Sequence, residues 1–418
     1  PASNLSLVRQ GDHFAGNSFF QNAWVTAPAS TAARDGLGPL FNTMSCQSCH
    51  IKDGRGKTPD AGKPMLSVLV RMSVPAAADG SDEEHVRRHG VVPHPVYGDQ
   101  IQPRAVAGVA PEAIPTIEWT EEKGAYPDGT RYTLRRPRVV LGDLAYGELG
   151  DDAQISTRVA PALVGIGLLD TIAEEDLLRL ADPDDEDGIS GRPNTVWDIA
   201  ADAPAIGRFG WKGEQPSVRQ QVAAAFAGDI GITSSLFQAD SLSPAQREAI
   251  DAPNGGTPEV SDKILYLVTF YSKTLAVPAR RGHDDAFVRE GQQLFHEVGC
   301  ASCHVPRFVT GDDPEFPELS GQTIYPYTDL LLHDMGEGLA DDRPVFDATG
   351  SEWRTPPLWG IGLVFNVNRH TELLHDGRAR NAEEAILWHG GEAEASRDAF
   401  KELSKEERRK LLAFLKSL

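Results

Sequence analysis

Three stretches of the chain place hydrophobic residues at helical spacing, between polar residues that can begin or end a helix. The first follows Ser261, the second runs towards Gly299, and the third follows Ser404. Their hydrophobic positions are Ile264, Leu265, Leu267, Val268 and Phe270; Phe287, Leu294 and Phe295; and Leu411, Leu412, Phe414 and Leu415. A serine at the start of such a run can cap the first turn, so the pattern predicts amphipathic helices.

A different pattern fills the segment at about residues 85–160, which is rich in Pro, Gly and β-branched residues. Thr116–Thr120 and Arg131–Leu134 flank a Pro127-Asp128-Gly129 turn, which predicts a β-hairpin. We expect this segment to be an insertion that shapes access to a site, although its residues specify no chemistry.

A Cys-x-x-Cys-His motif occurs at residues 46–50 and again at residues 300–304, and it contains all four cysteines of the chain. The attachment residues would be Cys46, Cys49 and His50 in the first copy and Cys300, Cys303 and His304 in the second. The spacing is typical of covalent c-type haem attachment, in which two thiols add to vinyl groups and the histidine ligates the iron. A zinc site shared by both motifs, or disulfides, stay open as alternatives.

Each motif is preceded by a Leu-Phe pair, Leu40-Phe41 in the first case and Leu294-Phe295 in the second, and each half ends in a predicted helix. Helix, motif, loops and closing helix form the plan of a cytochrome c domain. We therefore predict a mainly α fold with two cytochrome c-like domains, residues 1–280 and 281–418, joined through a linker at 277–282. The β-containing insertion of about 85–160 belongs to the first domain.

The composition is that of an ordinary globular protein, with 418 residues, 40% hydrophobic and 24% charged. No apolar run is long enough for a transmembrane segment, and residues 1–20 lack the features of a signal peptide. Because haem is attached to thiols outside the energy-conserving membrane, we expect a mature periplasmic chain whose signal peptide has been removed.

The formal charge of −21 results from 40 Lys and Arg against 61 Asp and Glu. It argues against nucleic acid as a partner and permits electrostatic steering of a basic redox protein, or it merely maintains solubility. The most acidic loop spans 182–191. Asp185 and Asp187 resemble part of a calcium loop, but Pro183 occupies the first ligand position, so the sequence favours a solvated acidic turn, with a calcium loop as the alternative.

Longer runs in the second half resemble the bacterial di-haem cytochrome c peroxidases and the related di-haem enzyme that matures methylamine dehydrogenase. Over nearly the whole chain the sequence is similar to a sister family, the di-haem oxidoreductases. The runs are Arg354-Thr355-Pro356-Pro357-Leu358, Leu374-His375-Asp376-Gly377-Arg378, Glu383-Glu384-Ala385-Ile386 and the stretch from Gln322 to Gly336.

The resemblance implies two covalently bound haem c groups and a sixth ligand for the second iron. That ligand falls fourteen residues after His375, at His389. A hydrogen-bonded core histidine is the alternative for His389. Histidine in place of methionine should lower the potential of the second haem. Trp211 matches the tryptophan between the haems and would relay electrons, although it could simply be a core residue.

Gln221 matches the distal-pocket glutamine of the peroxidases, but their catalytic glutamate falls at Gly231 in this chain. Asp229 is the nearest acid and could replace it; a surface aspartate is the alternative. The first haem is expected to be open or weakly ligated. Met65 and Met72 could ligate it, but both fit core packing better.

The residues and the resemblance together imply a di-haem oxidoreductase of peroxidase type. It would reduce peroxide or a similar small oxidant and exchange electrons with a small redox protein. The alternatives are a di-haem electron carrier without a substrate, or long-range oxidation of a protein partner. A calcium ion near the domain interface is also expected from the peroxidases.

Overall fold

The computed structural model describes residues 1–182 and 188–418. The helices are α1 (Leu7–Gln21), α2 (Cys46–Cys49), α3 (Glu83–His89), α4 (Ile166–Asp170), α5 (Glu174–Leu178), α6 (Val218–Ala225), α7 (Pro244–Ala249), α8 (Asp262–Lys273), α9 (Ala286–Glu297), α10 (Val364–Asn368), α11 (Ala382–Trp388), α12 (Glu394–Glu402) and α13 (Lys405–Ser417). A π-helical turn, Phe226–Ile230, follows α6 directly.

The strands pair as antiparallel two-stranded sheets throughout the described part of the chain. They are β1 (Leu40–Phe41), β2 (Val68–Ser73), β3 (Arg104–Ala105), β4 (Ile114–Ala125), β5 (Arg131–Gly142), β6 (Gln154–Val159), β7 (Thr195–Asp198), β8 (Ala203–Ile206), β9 (Phe308–Val309), β10 (Thr323–Ile324), β11 (Leu332–Asp334) and β12 (Glu352–Arg354). The pairs are β1 with β3, β2 with β6, β4 with β5, β7 with β8, β9 with β10 and β11 with β12.

The three predicted helices are present. Ser261 caps α8 and Ser404 caps α13, each accepting a hydrogen bond from the backbone N–H three residues later. Helix α9 ends just before Gly299 and buries Leu294 and Phe295, as its hydrophobic spacing predicted. The polar faces of α9 and α13 remain towards solvent, so burial of one apolar face accounts for both helices.

The two halves of the chain pack their opening and closing helices in the same way. Helix α1 crosses α8 at Gly16, and α9 crosses α13 at Gly291. A Cβ atom on Gly16 would lie 2.0 Å from the Leu267 carbonyl oxygen, and one on Gly291 would lie 1.9 Å from the Lys410 carbonyl oxygen. Glycine is therefore required at both crossings, because only its missing side chain lets the backbones approach so closely.

The approaches to the two motifs differ, although their sequences suggested a common plan. Leu294 and Phe295 lie in helix α9, whereas Leu40 and Phe41 form strand β1. Gly38-Pro39 precedes the first pair, and proline disfavours helical geometry in the residue before it. The opening helix of the first half is therefore α1, well upstream of the motif.

The fold is more mixed than the mainly α prediction, with 31% helix and 18% strand. The predicted hairpin is confirmed as β4 and β5, which pair from Ile114 opposite Gly142 to Ala125 opposite Arg131. Three of the two-stranded sheets, β7–β8, β9–β10 and β11–β12, lie outside the predicted insertion. Strands this short show too little alternation to be distinguished from loops in the sequence.

The hydrophobic core is divided into clusters rather than continuous. One cluster combines helices of the first half, and a second fills the insertion between β2, β6 and the hairpin. A third joins Phe295 and Phe414 to Trp211 and Tyr126 of the first half. The boundary at 280/281 stays a prediction. No helix among the described residues is long and apolar enough to cross a membrane.

Replacing Gly16 with alanine should destabilise the protein by about 1–3 kcal/mol, because the added methyl group would overlap the Leu267 carbonyl. Gly11 lies on the same helix and is exposed, and a Cβ atom added there would have no packing neighbour within 4 Å. Gly11→Ala should therefore stabilise by about 0.5–1 kcal/mol. Denaturant unfolding of both variants measures the difference; equal effects would contradict the packing described for α1 and α8.

Candidate functional site

The first motif forms the short helix α2, and His50 is the residue that ends it. The His50 N–H donates to the Cys46 carbonyl at 3.0 Å. The His50 ring then donates through Nδ1 to the Pro161 carbonyl oxygen at 2.8 Å. A backbone carbonyl can only accept, so Nδ1 carries the proton and Nε2 keeps a lone pair.

The second motif repeats this geometry on a 3₁₀ turn, Cys300–Ser302. The His304 N–H donates to the Cys300 carbonyl at 3.0 Å, and the ring Nδ1 donates to the Tyr327 carbonyl oxygen at 2.9 Å. Burial lowers the pKa of His50 and of His304 to about 4. Both imidazoles are therefore neutral at physiological pH, which is the form that can ligate a metal.

A cavity of about 640 Å³ brings the predicted site residues together. Its wall includes all ten of them: Cys46, Cys49, His50, Trp211, Gln221, Asp229, Cys300, Cys303, His304 and His389. These residues come from both halves of the chain. The structure thus places two attachment motifs and the residues proposed around them on one continuous space.

His389 lies at the end of helix α11, where its ring donates through Nδ1 to the Ala385 carbonyl oxygen at 2.7 Å. Burial lowers its pKa, so it too is neutral with Nε2 free. Burial lowers the pKa of His304, the bond to the Tyr327 carbonyl raises it, and the charge of His389 lowers it. Both rings border the same cavity, so His389 is available there as a further ligand.

Trp211 is buried, with its indole N–H donating to the Val159 carbonyl oxygen at 2.8 Å. The Arg55 guanidinium lies over its ring, 5.1 Å from the centroid. The ring belongs to the core cluster and also borders the cavity. The relay stays a prediction.

Asp229 lies in the π-helical turn after α6, and such turns occur frequently at functional sites. Asp229 borders the cavity, and burial raises the pKa of its carboxyl group above the ordinary value. Gly231 has φ +73°, and a Cβ there would lie 2.7 Å from the Leu40 carbonyl oxygen. A glutamate could not be accommodated at 231 without moving β1, whereas Asp229 is already at the wall.

Gln221 projects from the face of α6 that borders the cavity, while its neighbour Gln220 is buried. The Gln220 side chain binds the backbone of Ile199 and Trp197. Adjacent glutamines on one helix therefore have different surroundings, and only Gln221 is available to a molecule in the cavity.

Met65 and Met72 precede the insertion and are buried in the core that it completes, 3% and 0% exposed, and neither borders the cavity. Core packing is confirmed for both, and ligation by either has no support. Among the described residues, two further histidines border the cavity. His333 is bonded through both nitrogens to carboxylates, and His375 stacks on Trp353 with ring centroids 3.6 Å apart.

The alternatives to haem attachment are weakened by the same geometry. All four cysteines are free. In the part of the chain described, the one cluster suited to a metal ion is Cys303, Asp329 and His333. His333 belongs to neither motif, and its ring nitrogens are bonded to the Glu392 and Asp329 carboxylates. No cluster among the described residues combines ligands from both motifs, so the shared zinc site has no support.

A family model described as "Di-haem oxidoreductase, putative peroxidase" matches residues 1–418. The chain belongs to this family. It is therefore an oxidoreductase, and membership implies two haems, in agreement with the two motifs.

Comparison with curated proteins finds no match. Among solved structures, the hydrazine synthase of Kuenenia stuttgartiensis, studied under 20 bar of xenon, is similar over 100% of this chain and 95% of its own. The identity is 14% and the TM-score 0.37, values too low to support a conclusion about fold or function.

Two buried hydrogen-bond donors test whether this di-haem oxidoreductase can accommodate haem. No sequence motif identified either of them. Arg158 Nη1 and Trp359 Nε1 have no hydrogen-bond partner among the described residues, and both side chains border the cavity. Buried donors are rarely left unpaired. Haem carries two propionates that accept such bonds, so the donors fit its presence, and Cys46, Cys49, Cys300 and Cys303 supply the attachment points.

The expected calcium ion has no support. Asp185 and Asp187 lie outside the described residues, so the calcium-loop prediction on them is not tested. Elsewhere in the described chain, the only candidate cation cluster contains the Cys303 thiol, and thiolates are poor ligands for calcium.

Replacing Trp359 with phenylalanine should destabilise the haem-loaded protein by about 1–3 kcal/mol more than the matched change Trp24→Phe. Both indole N–H groups are buried without a protein partner, but only Trp359 borders the cavity. If Trp359 donates to a propionate, only that substitution removes a hydrogen bond. Unfolding in denaturant, monitored by haem absorbance, gives the comparison, and equal losses would exclude the bond.

Proposed function

We propose that this protein is a periplasmic di-haem c-type oxidoreductase of peroxidase type, with an open first haem and a second haem ligated by two histidines. Cys46 and Cys49 would attach the first group and His50 would ligate it. Cys300 and Cys303 would attach the second, between His304 and His389.

The observation that carries this proposal is that three neutral histidines border the cavity, one in the first motif and two that could serve the second. Each of His50, His304 and His389 donates through Nδ1 to a backbone carbonyl and keeps Nε2 free. His389 borders the same cavity as His304 and influences its pKa, so the second motif has a candidate for a second ligand. Of the other described histidines that border the cavity, His333 is a paired imidazolium and His375 is stacked on tryptophan.

Near the first motif the cavity is lined by the carboxyl residue Asp229 and the amide residue Gln221 rather than by a second histidine. Asp229 is close enough to Cys46 and Cys49 to raise the pKa of both thiols, after the larger effect of burial. Gln221 lies earlier along the same helical segment. This arrangement supports a small polar substrate beside the first attachment site.

When bound, haem iron supplies the electron-transfer and peroxide chemistry. Asp229 would accept a proton from one peroxide oxygen and return it to the other as the O–O bond breaks. Gln221 would donate a hydrogen bond that orients the oxidant. Trp211 would pass an electron between the two attachment sites, with its N–H held by Val159.

The partners follow from charge and chemistry. Peroxide, or an oxidant of similar size, suits a site with one carboxyl and one amide group. The electrons would come from a small redox protein, and the net charge of −21 favours a basic one. The periplasm is proposed because c-type haem is attached on that side of the membrane.

Replacing His389 with methionine should raise the potential of one haem and leave two haems covalently bound, because thioether ligation favours reduced iron. Met335→Leu is the matched control, since Met335 borders the cavity next to Gly390 but is not the proposed ligand. Redox titration with optical detection measures both. A shift in Met335→Leu without one in His389→Met would contradict the assignment.

Replacing Asp229 with asparagine should lower peroxide turnover by about 10²–10⁴-fold, the usual contribution of a general acid–base group. The raised pKa of Asp229 also predicts that wild-type turnover falls as the pH drops through that pKa, because the base becomes protonated. Asp240→Asn, in an ion pair with Arg247, is the control.

Steady-state assays across pH with cyanide titration provide the measurement. Turnover that survives Asp229→Asn would reject this role for the acid. Failure of both haems to bind cyanide would instead favour an electron carrier with two six-coordinate irons.

A further inference from the structure

We propose that Gln100 is a positioning residue for Asp229, which orients its carboxyl group and favours the ionised form. The inference rests on the proposed function, in which Asp229 exchanges a proton with the substrate. It assigns a role to the insertion, the segment from which Gln100 comes.

Gln100 is 2% exposed and reaches the π-helical turn from a position that pairs with Arg71 of β2. Its Nε2 group donates to Asp229 Oδ1 at 2.9 Å and to the Gly228 carbonyl oxygen at 3.0 Å. The first bond fixes the direction in which the carboxyl group points. A donor at this distance also favours the ionised carboxylate.

Other residues hold the backbone of the turn without Gln100. Gln102 Nε2 donates to the Gly228 carbonyl oxygen at 2.7 Å. The N–H groups of Asn42 and Thr43 donate to the Asp229 carbonyl oxygen at 2.8 and 3.0 Å. The bond that only Gln100 makes is therefore the one to the Asp229 side chain.

The carbonyl end of the Gln100 amide differs from the N–H end. Its Oε1 atom is buried and has no hydrogen-bond partner among the described residues. Rotation of the amide by half a turn would exchange Oε1 and Nε2, so that Oε1 could accept the proton of a neutral Asp229. In that orientation Oε1 would also lie against the Gly228 carbonyl oxygen, which now accepts from Nε2 at 3.0 Å, and the amide N–H groups would lose both present acceptors. The observed orientation, which donates to the ionised carboxylate, is therefore the favoured one.

The charged groups around Asp229 do not perform this function. Arg71 lowers its pKa and Asp99 raises it, and these two residues are paired with each other at 3.2 Å. The thiols of Cys46 and Cys49 also face it, but they would be thioethers in the haem-loaded protein. Gln100 makes the one side-chain hydrogen bond to the Asp229 carboxyl in the described chain.

The test uses the haem-loaded protein and three variants: Gln100→Leu, Gln100→Asn and Gln102→Leu. Infrared difference spectra across pH report the carbonyl stretch of protonated Asp229, identified by its loss in Asp229→Asn. Loss of the Gln100 donor should raise the midpoint of this titration by about one pH unit, in line with a hydrogen bond to a charged group. The acid limb of the peroxide pH profile should shift equally.

Gln102→Leu is the matched control, because it removes a bond to the Gly228 backbone but none to the carboxyl group. Its midpoint should stay at the wild-type value. Gln100→Asn keeps an amide that is one methylene too short, and it replaces the leucine variant if that variant does not fold. An unchanged midpoint in the Gln100 variants, or an equal shift in Gln102→Leu, would overturn the inference.

The two proposals fail in different ways. If Asp229→Asn leaves turnover intact while Gln100→Leu still moves the infrared midpoint, the catalytic role of Asp229 is rejected and the positioning role of Gln100 is supported. If turnover depends on Asp229 but neither the midpoint nor the acid limb responds to Gln100, the peroxidase proposal stands and this inference is rejected.

Discussion

A hydrogen bond from imidazole Nδ1 to a backbone carbonyl recurs at His50, His304 and His389, and the candidate site depends on it. The bond selects the tautomer with a free Nε2 and fixes the plane of each ring. Because the acceptors are backbone atoms of Pro161, Tyr327 and Ala385, the rings are oriented by the fold rather than by mobile side chains. Neutral, oriented imidazoles are what iron ligation requires.

The cavity lies between the two halves of the chain and is lined by residues from both. Trp211 belongs to the first half but packs in a cluster with Phe295 and Phe414 of the second. Ion pairs reinforce this contact, including Arg158 with Asp341 at 3.0 Å and Arg135 with Glu372 at 2.8 Å. Both pairs are largely buried, so breaking one partner would leave an uncompensated charge. The arrangement stabilises a fixed separation between the two motifs.

The insertion contributes to the site more directly than its sequence indicated. It delivers Gln100 and Gln102 to the turn that carries Asp229, and it shares a core with the preceding segment that contains Met65 and Met72. Because both methionines are buried there, neither borders the cavity. The insertion therefore contacts the turn that carries Asp229 and also packs against the two methionines that the sequence offered as candidate ligands.

The sequence alone determined the attachment motifs, the capped helices α8 and α13, and the hairpin β4–β5. These features depend on residues close together in the chain, where spacing and capping chemistry suffice. Only the tertiary structure decided that Asp229, His389, Arg158 and Trp359 border one cavity with both motifs, and that Gln100 donates to the Asp229 carboxyl group. Those relations join segments distant in sequence, and burial and hydrogen-bond partners become defined only when the segments pack together.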